Sequence, residues 1–148
     1  MTRVRRLPGS RGLRIEVSHV LDAPSREAWD LLVDTHRWAD WSPVITSVET
    51  TDRRVRSETA GRVRLVGGLW ARFEITGYSS EDRRWGWRIG RVPAIDHRVD
   101  DLVNDRCRVA FELSTAAAGY VPVCLRALER IEEVLDGTST GLEETARD

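Results

Sequence analysis

Residues 119–137 read Gly-Tyr-Val-Pro-Val-Cys-Leu-Arg-Ala-Leu-Glu-Arg-Ile-Glu-Glu-Val-Leu-Asp-Gly, and the fold turns on this stretch. Val121, Cys124, Leu128, Ile131 and Leu135 recur at steps of three and four, and Tyr120, Ala127 and Val134 widen the stripe. Arg126, Glu129, Arg130 and Glu133 fall on the other side. This spacing predicts an amphipathic helix with one broad apolar face. Pro122 suits its first turn, where a missing N–H costs little, and Gly137 suits its end. Burying each large apolar side chain is worth roughly 1.5–3 kcal/mol. The helix therefore needs a wide apolar partner, and the rest of the chain must supply it.

The preceding residues supply strands. Residues 13–21 alternate, with Leu13, Ile15, Val17 and Leu21 facing one way and Arg14, Glu16 and Ser18 the other. Asp22-Ala-Pro-Ser25 breaks that strand and starts a helix, which Ser25 is placed to cap and whose apolar side carries Ala28, Trp29 and Leu32. A short helical turn over residues 34–40 brings Trp38 and Trp41 three apart, and Ser42-Pro43 ends it. From Val44 the period returns to two. Val63 and Leu65 face inward, then Leu69, Ala71, Phe73 and Ile75, then Trp85, Trp87 and Ile89, then Ile95, His97 and Val99, then Cys107, Val109, Phe111 and Leu113. Arginines alternate with acids on the outer faces, as suits cross-strand pairs on a solvated surface. The expected architecture is α+β: a curved antiparallel sheet of six or seven strands wrapped around a long C-terminal helix, with two short helices after the first strand.

Composition narrows the classes of function. The chain has 148 residues and a net charge of −1, so one domain is expected and no global pull toward nucleic acid. All 23 basic residues are arginine, which GC-rich coding explains. Cys107 and Cys124 fit no metal spacing and lie on apolar faces, so buried free thiols and a reducing, cytoplasmic setting are expected. No apolar run is long enough to span a membrane. Residues 1–12, with Arg3, Arg5, Arg6 and Arg11, read as a flexible basic arm, residues 13–136 as a single domain, and residues 137–148 as a flexible polar tail.

The strand ending in Asp22-Ala-Pro-Ser25, the Ala28-Trp29 helix and the stretch Trp38-Ala-Asp-Trp41-Ser-Pro43 resemble the SRPBCC (START-like) superfamily, within it the polyketide cyclase/dehydrase and lipid-transport type. Gly61-Arg-Val-Arg, Gly68-Leu-Trp, Phe73-Glu-Ile-Thr and the strand containing His97-Arg-Val agree with it. The resemblance covers roughly residues 13–135. It implies a helix-grip fold with a cavity between sheet and last helix, made shallow here by a short helix. Members carry hydrophobic small molecules, cyclise polyketides, transfer lipids or assist other proteins, and they share no catalytic motif to transfer.

On that fold the inward strand faces form the cavity wall. Trp38 and Trp41 are expected near the mouth, and Phe73, Trp85, Trp87, His97, Phe111, Tyr120 and Cys124 are the further candidate ligand-binding residues, with plain core packing as the alternative for each. His19 and His97 interrupt apolar stripes, so each needs a hydrogen-bond partner. The family topology sets them two strand spacings apart, roughly 9.5 Å, across which they would bracket a ligand. They are also, with Tyr120, the candidate groups for proton transfer. No nucleophile motif, phosphate loop or metal site is visible, and no cofactor is expected. The expected function is binding or carrying a hydrophobic small molecule, by a monomer or homodimer. The rivals are a cyclase/aromatase-type enzyme and a protein-assisting module with an apolar groove.

Overall fold

The alternating stripes assemble into one antiparallel sheet of eight strands. The computed structural model describes residues 2–9 and 12–147, and side chains over 2–8 and 13–137. The elements are β1 (Thr2–Gly9), β2 (Gly12–Leu21), α1 (Ser25–Val33), a 3-10 turn and α2 (Trp38–Trp41), then β3 (Ile45–Thr50), β4 (Ala60–Leu65), β5 (Trp70–Ser79), β6 (Arg84–Ile89), β7 (Ile95–Leu102), β8 (Arg106–Ser114), a second 3-10 turn (Thr115–Tyr120) and α3 (Val121–Arg147). The strand order is β1-β2-β8-β7-β6-β5-β4-β3, so every pair but β2–β8 joins consecutive strands. Gly67 and Gly68, with φ of +99° and +91°, make the tight β4–β5 turn. This is the helix-grip arrangement: α3 lies in the curve of the sheet, with Cys124, Ala127, Leu128, Ile131 and Leu135 buried against it.

Three local expectations are corrected. The eighth strand is β1. Residues expected as a loose arm pair antiparallel with β2 from Thr2↔His19 to Gly9↔Gly12, while Met1, Ser10 and Arg11 lie outside the described residues. The backbone of α3 runs through Gly137 to Arg147, where a polar tail was expected. Ser25 does not cap α1; Pro24 holds that position, and the Ser25 hydroxyl donates to Asp101 Oδ1.

The outer face corrects a fourth. Its charges are not simply solvated: the Glu16 side chain is 1% exposed and Glu112 is buried. Arginines from neighbouring strands cover both. Arg3 Nη2 and Arg5 Nε donate to Glu16 Oε1 at 3.0 and 2.9 Å, and Arg98 Nη2 donates to Glu16 Oε2 at 3.1 Å. Arg98 also reaches Glu112, and Arg84 Nη2 donates to Glu112 at 2.6 Å. Burial, the largest single influence, opposes ionisation of Glu16, but the bonds from Arg5, Arg98 and Arg3 together outweigh it and hold the carboxyl down at about 2. The bonds from Arg3 and Arg5 to the buried Glu16 add to the backbone ladder that holds β1 on the sheet.

Candidate functional site

The inner face of β6 and β7 places Trp85, Trp87 and His97 on one surface, because residues two apart on a strand point the same way. The short α2 lays Trp38 and Trp41 over them. Trp85 is stacked on Trp38 with centroids 5.5 Å apart and on His97 at 4.0 Å. Trp41 is stacked on Trp87 at 5.8 Å, and Phe111 meets His97 edge-on at 5.0 Å. Such pairs add about 0.5–1.5 kcal/mol each beyond burial, so the cluster anchors α2 to the sheet.

The cluster does not fill the whole space under α3. A cavity of about 320 Å³ remains between the sheet, α2 and the start of α3. Its volume equals roughly ten waters at about 30 Å³ each, at the small end of ligand pockets. Of the candidate residues, Trp41, Trp87, His97, Phe111, Tyr120 and Cys124 line it, with Leu65, Ile89 and Ile95 from the sheet and Val123 and Ala127 from α3. Tyr120 and Val66, 38% and 67% exposed, stand at its rim. No arginine, aspartate or glutamate is among the lining residues.

Trp38, Phe73 and Trp85 are not on the cavity wall. Trp38, expected near the mouth, is fully buried, and its indole N–H donates to Leu32 O at 2.9 Å. Phe73 packs edge-on against Trp38 at 5.1 Å, and Trp85 lies within the stack. These three support the wall from behind. Trp41 is also deeply buried, yet one side of it reaches the cavity. The Nε1 atoms of Trp41 and Trp85 are buried without a hydrogen-bond partner.

The two histidines separate. His19 and His97 are two strands apart, as the topology implied, but they are not level: His19 pairs with Val109 of β8 and His97 with Phe111. His19 does not line the cavity. Its Nδ1 meets Thr2 Oγ1 at 2.6 Å and its Nε2 meets Glu132 of α3, so it ties β1, β2 and α3 together. His97 does line the cavity. Its Nδ1 lies 3.1 Å from Trp85 O. A carbonyl oxygen only accepts, so Nδ1 carries the proton. Burial pushes the ring's pKa down from its ordinary 6.5 to about 3, against the opposing pull of the Trp85 carbonyl, so His97 is neutral at physiological pH and Nε2 is a lone-pair acceptor. No protein hydrogen bond reaches that atom among the described residues.

The remaining reactive groups are quiet. Burial raises the Cys107 thiol to about 11 and the cavity-lining Cys124 thiol to about 12, so neither is a thiolate near neutral pH. Among the described residues no group of His, Cys, Asp or Glu could hold a metal ion. A larger depression of about 630 Å³ crosses the outer face of β3–β6. Exposed Arg62, Arg72, Glu74 and Arg88 line it, so it is a charged surface dip without apolar enclosure. Sequence reasoning missed Val92 and Pro93, in the β6–β7 connection, as part of the cavity wall; Pro93 before an inward Ile95 was the available signal.

A helix-grip domain with an apolar cavity beneath its last helix defines a class of small-molecule-binding folds. The model of the family described as "Polyketide cyclase / dehydrase and lipid transport" matches residues 12–134, and the chain belongs to that family. Among solved structures, XoxI from Bacillus cereus is similar at 12% identity, covering 82% of this chain and 94% of its own, with a TM-score of 0.66. CalU16 from Micromonospora echinospora is similar at 18% identity, covering 93% of this chain and 84% of its own, with a TM-score of 0.61. BexL, a di-domain ARO/CYC from the BE-7585A biosynthetic pathway, matches at 12% identity and a TM-score of 0.67, over 83% of this chain but 46% of its own length. At these identities the likeness is one of fold. A search of curated protein sequences finds no match. No helix among the described residues is long and apolar enough to cross a membrane.

Proposed function

We propose that the protein binds and carries a hydrophobic small molecule, lipid-like, polyketide or aromatic, in the cavity between its sheet and α3, acting in the cytoplasm as a monomer or homodimer. The observation that carries this reading is the uncharged, largely aromatic and aliphatic lining of the 320 Å³ cavity. The family membership and the two buried, unreactive thiols agree with it.

Carriage is favoured over the cyclase/aromatase reading by the state of the candidate proton-transfer groups. A useful general acid or base has a pKa near the working pH. His97, at about 3, is far from that, and its Nδ1 proton is committed to Trp85 O. His19 is bonded to Thr2 and Glu132 away from the cavity. Tyr120, at the rim, has no basic partner within the cavity lining other than His97. An apolar groove for a partner protein fits less well, since Trp38 and Trp41 are buried instead of forming an exposed patch.

The test is titration with the uncharged, carbonyl-free dye N-phenyl-1-naphthylamine, followed by native mass spectrometry of protein isolated from its own host. One saturable site that is weakened by Trp87→Ala is the expected result. A folded protein with no saturable apolar site sinks the reading.

A further inference from the structure

We infer that the cavity selects uncharged aromatic molecules bearing a hydroxyl group, and that this hydroxyl donates its hydrogen to His97 Nε2. The inference deepens the carrier reading above and rests on it.

Three features of the wall carry it. First, nothing on the wall can neutralise a charge: the lining contains no arginine, aspartate or glutamate, and a fatty carboxylate or phosphate inside it would be buried unpaired. Second, the rings of Trp41, Trp87, Phe111 and Tyr120 stand in the lining among aliphatic side chains, and flat π surfaces favour a flat apolar partner. Third, His97 brings a lone-pair acceptor to the wall. It is 1% exposed, lies among those rings and presents one unpaired acceptor. A buried acceptor without a partner costs stability that a donor can restore.

The tautomer of the imidazole sets which kind of ligand atom Nε2 can meet. The bond to Trp85 O places the ring proton on Nδ1, so Nε2 can only accept. A ligand carbonyl or ether, which also only accepts, would meet the lone pair of Nε2 unfavourably. Trp41 Nε1 is sealed by packing and has no surface of its own to offer, while the indole N–H of Trp87, on the same wall, is a donor only and cannot take a ligand hydrogen. The Ser42 hydroxyl, also on the lining, accepts from Val44 N at 3.4 Å and keeps its own hydrogen, so what it offers a ligand is a donor. His97 Nε2 is therefore the acceptor-only atom of this wall, and a ligand hydroxyl hydrogen is what it reads.

The experiment measures binding of four probes by isothermal titration calorimetry: 2-naphthol, its methyl ether 2-methoxynaphthalene, naphthalene and 2-naphthoate. The wild type is expected to bind 2-naphthol more tightly than the methyl ether or naphthalene by about 2- to 13-fold, one net hydrogen bond written as an affinity ratio. 2-Naphthoate is expected not to bind measurably. In His97→Asn the amide can still donate to Trp85 O while nothing remains at the Nε2 position, so the naphthol preference should vanish while naphthalene binding survives. Equal wild-type affinities for naphthol and its ether, a preference that persists in His97→Asn, or tight binding of naphthoate would each overturn the inference and leave the carrier reading standing. Failure of all four probes to bind would overturn both. If His97→Asn does not fold, the wild-type ranking of the four probes decides alone.

Discussion

His97 should make the domain lose stability on mild acidification. In the folded protein its pKa is about 3, against an ordinary 6.5, because the ring is desolvated among Trp41, Trp85, Trp87 and Phe111, on the wall of the cavity. As pH falls below about 6.5 the unfolded chain takes up a proton at this position and the folded chain does not. The unfolded state then binds more protons, so stability falls with falling pH, and it continues to fall until about pH 3. At about 1.4 kcal/mol per pH unit the loss between pH 7 and pH 5 is about 2 kcal/mol, a large share of the roughly 5–15 kcal/mol of a typical domain. The assay is urea denaturation followed by tryptophan emission at pH 7, 6 and 5, on wild type and His97→Asn. The substitution lowers stability at pH 7 by removing ring packing, so the quantity to read is the difference between the two proteins as a function of pH. That difference should shrink by about 2 kcal/mol from pH 7 to pH 5. Parallel curves would refute the reasoning, since they would mean that the folded protein accommodates the protonated ring.

Other outcomes follow from particular contacts. Leu128→Asp, which places a charge at a position 1% exposed in the centre of the α3 stripe, should leave no cooperative unfolding transition, whereas Arg126→Ala, on the exposed side, should change stability by under ~1 kcal/mol; equal effects would mean the helix face is misassigned. Glu16→Gln removes one of the three carboxylates that Arg98 meets and releases Arg3 and Arg5, and should cost about 2 kcal/mol at pH 7, with the largest rise in amide exchange over Val4–Leu7; unchanged exchange there would show that β1 does not depend on the arginine clamp. Because the folded pKa of Glu16 is depressed to about 2, that cost should fade as pH drops from about 4.5 toward 2 and stay constant above it. Cys107 and Cys124 should react with an aromatic disulfide reagent only after denaturation, as two thiols at once; fast native labelling of Cys124 would mean that the cavity opens widely to solvent.

Much of the fold was legible because it rests on period. The three-and-four spacing of Val121, Cys124, Leu128, Ile131 and Leu135 reports a helix face regardless of what covers it, and alternation in 95–99 and 107–113 reports a sheet face. Period says which way a side chain points and nothing about how many layers lie beyond it. Trp85 and Trp87 share a face, yet Trp38 covers the first and leaves the second on the cavity. His19 and His97 both point inward, and only their positions across the sheet decide that one meets Glu132 and the other the aromatic cluster. β1 was missed for a related reason. Its arginines look like a solvated arm until Glu16, thirteen residues from Arg3 in the chain, is seen beneath them. One side chain of α3 was misjudged as well: Arg130, assigned to the polar side, donates to Ser42 O at 2.9 Å and helps hold the turn beside the cavity.

The placement of β1 at the end of the strand order has a consequence for how copies of this chain behave together. An open sheet offers its last strand's unpaired N–H and C=O groups to any other extended chain. Here that border falls on a strand bearing Arg3, Arg5, Arg6 and Pro8, and cationic side chains and a proline are poor templates for strand addition. Were β1 to peel away, the border would pass to β2, where Ile15, Val17, Val20 and Leu21 lie close together. By holding Arg3 and Arg5, the carboxylate of Glu16 keeps that border covered, and loss of β1 would show first as fibrils or precipitate at high protein concentration.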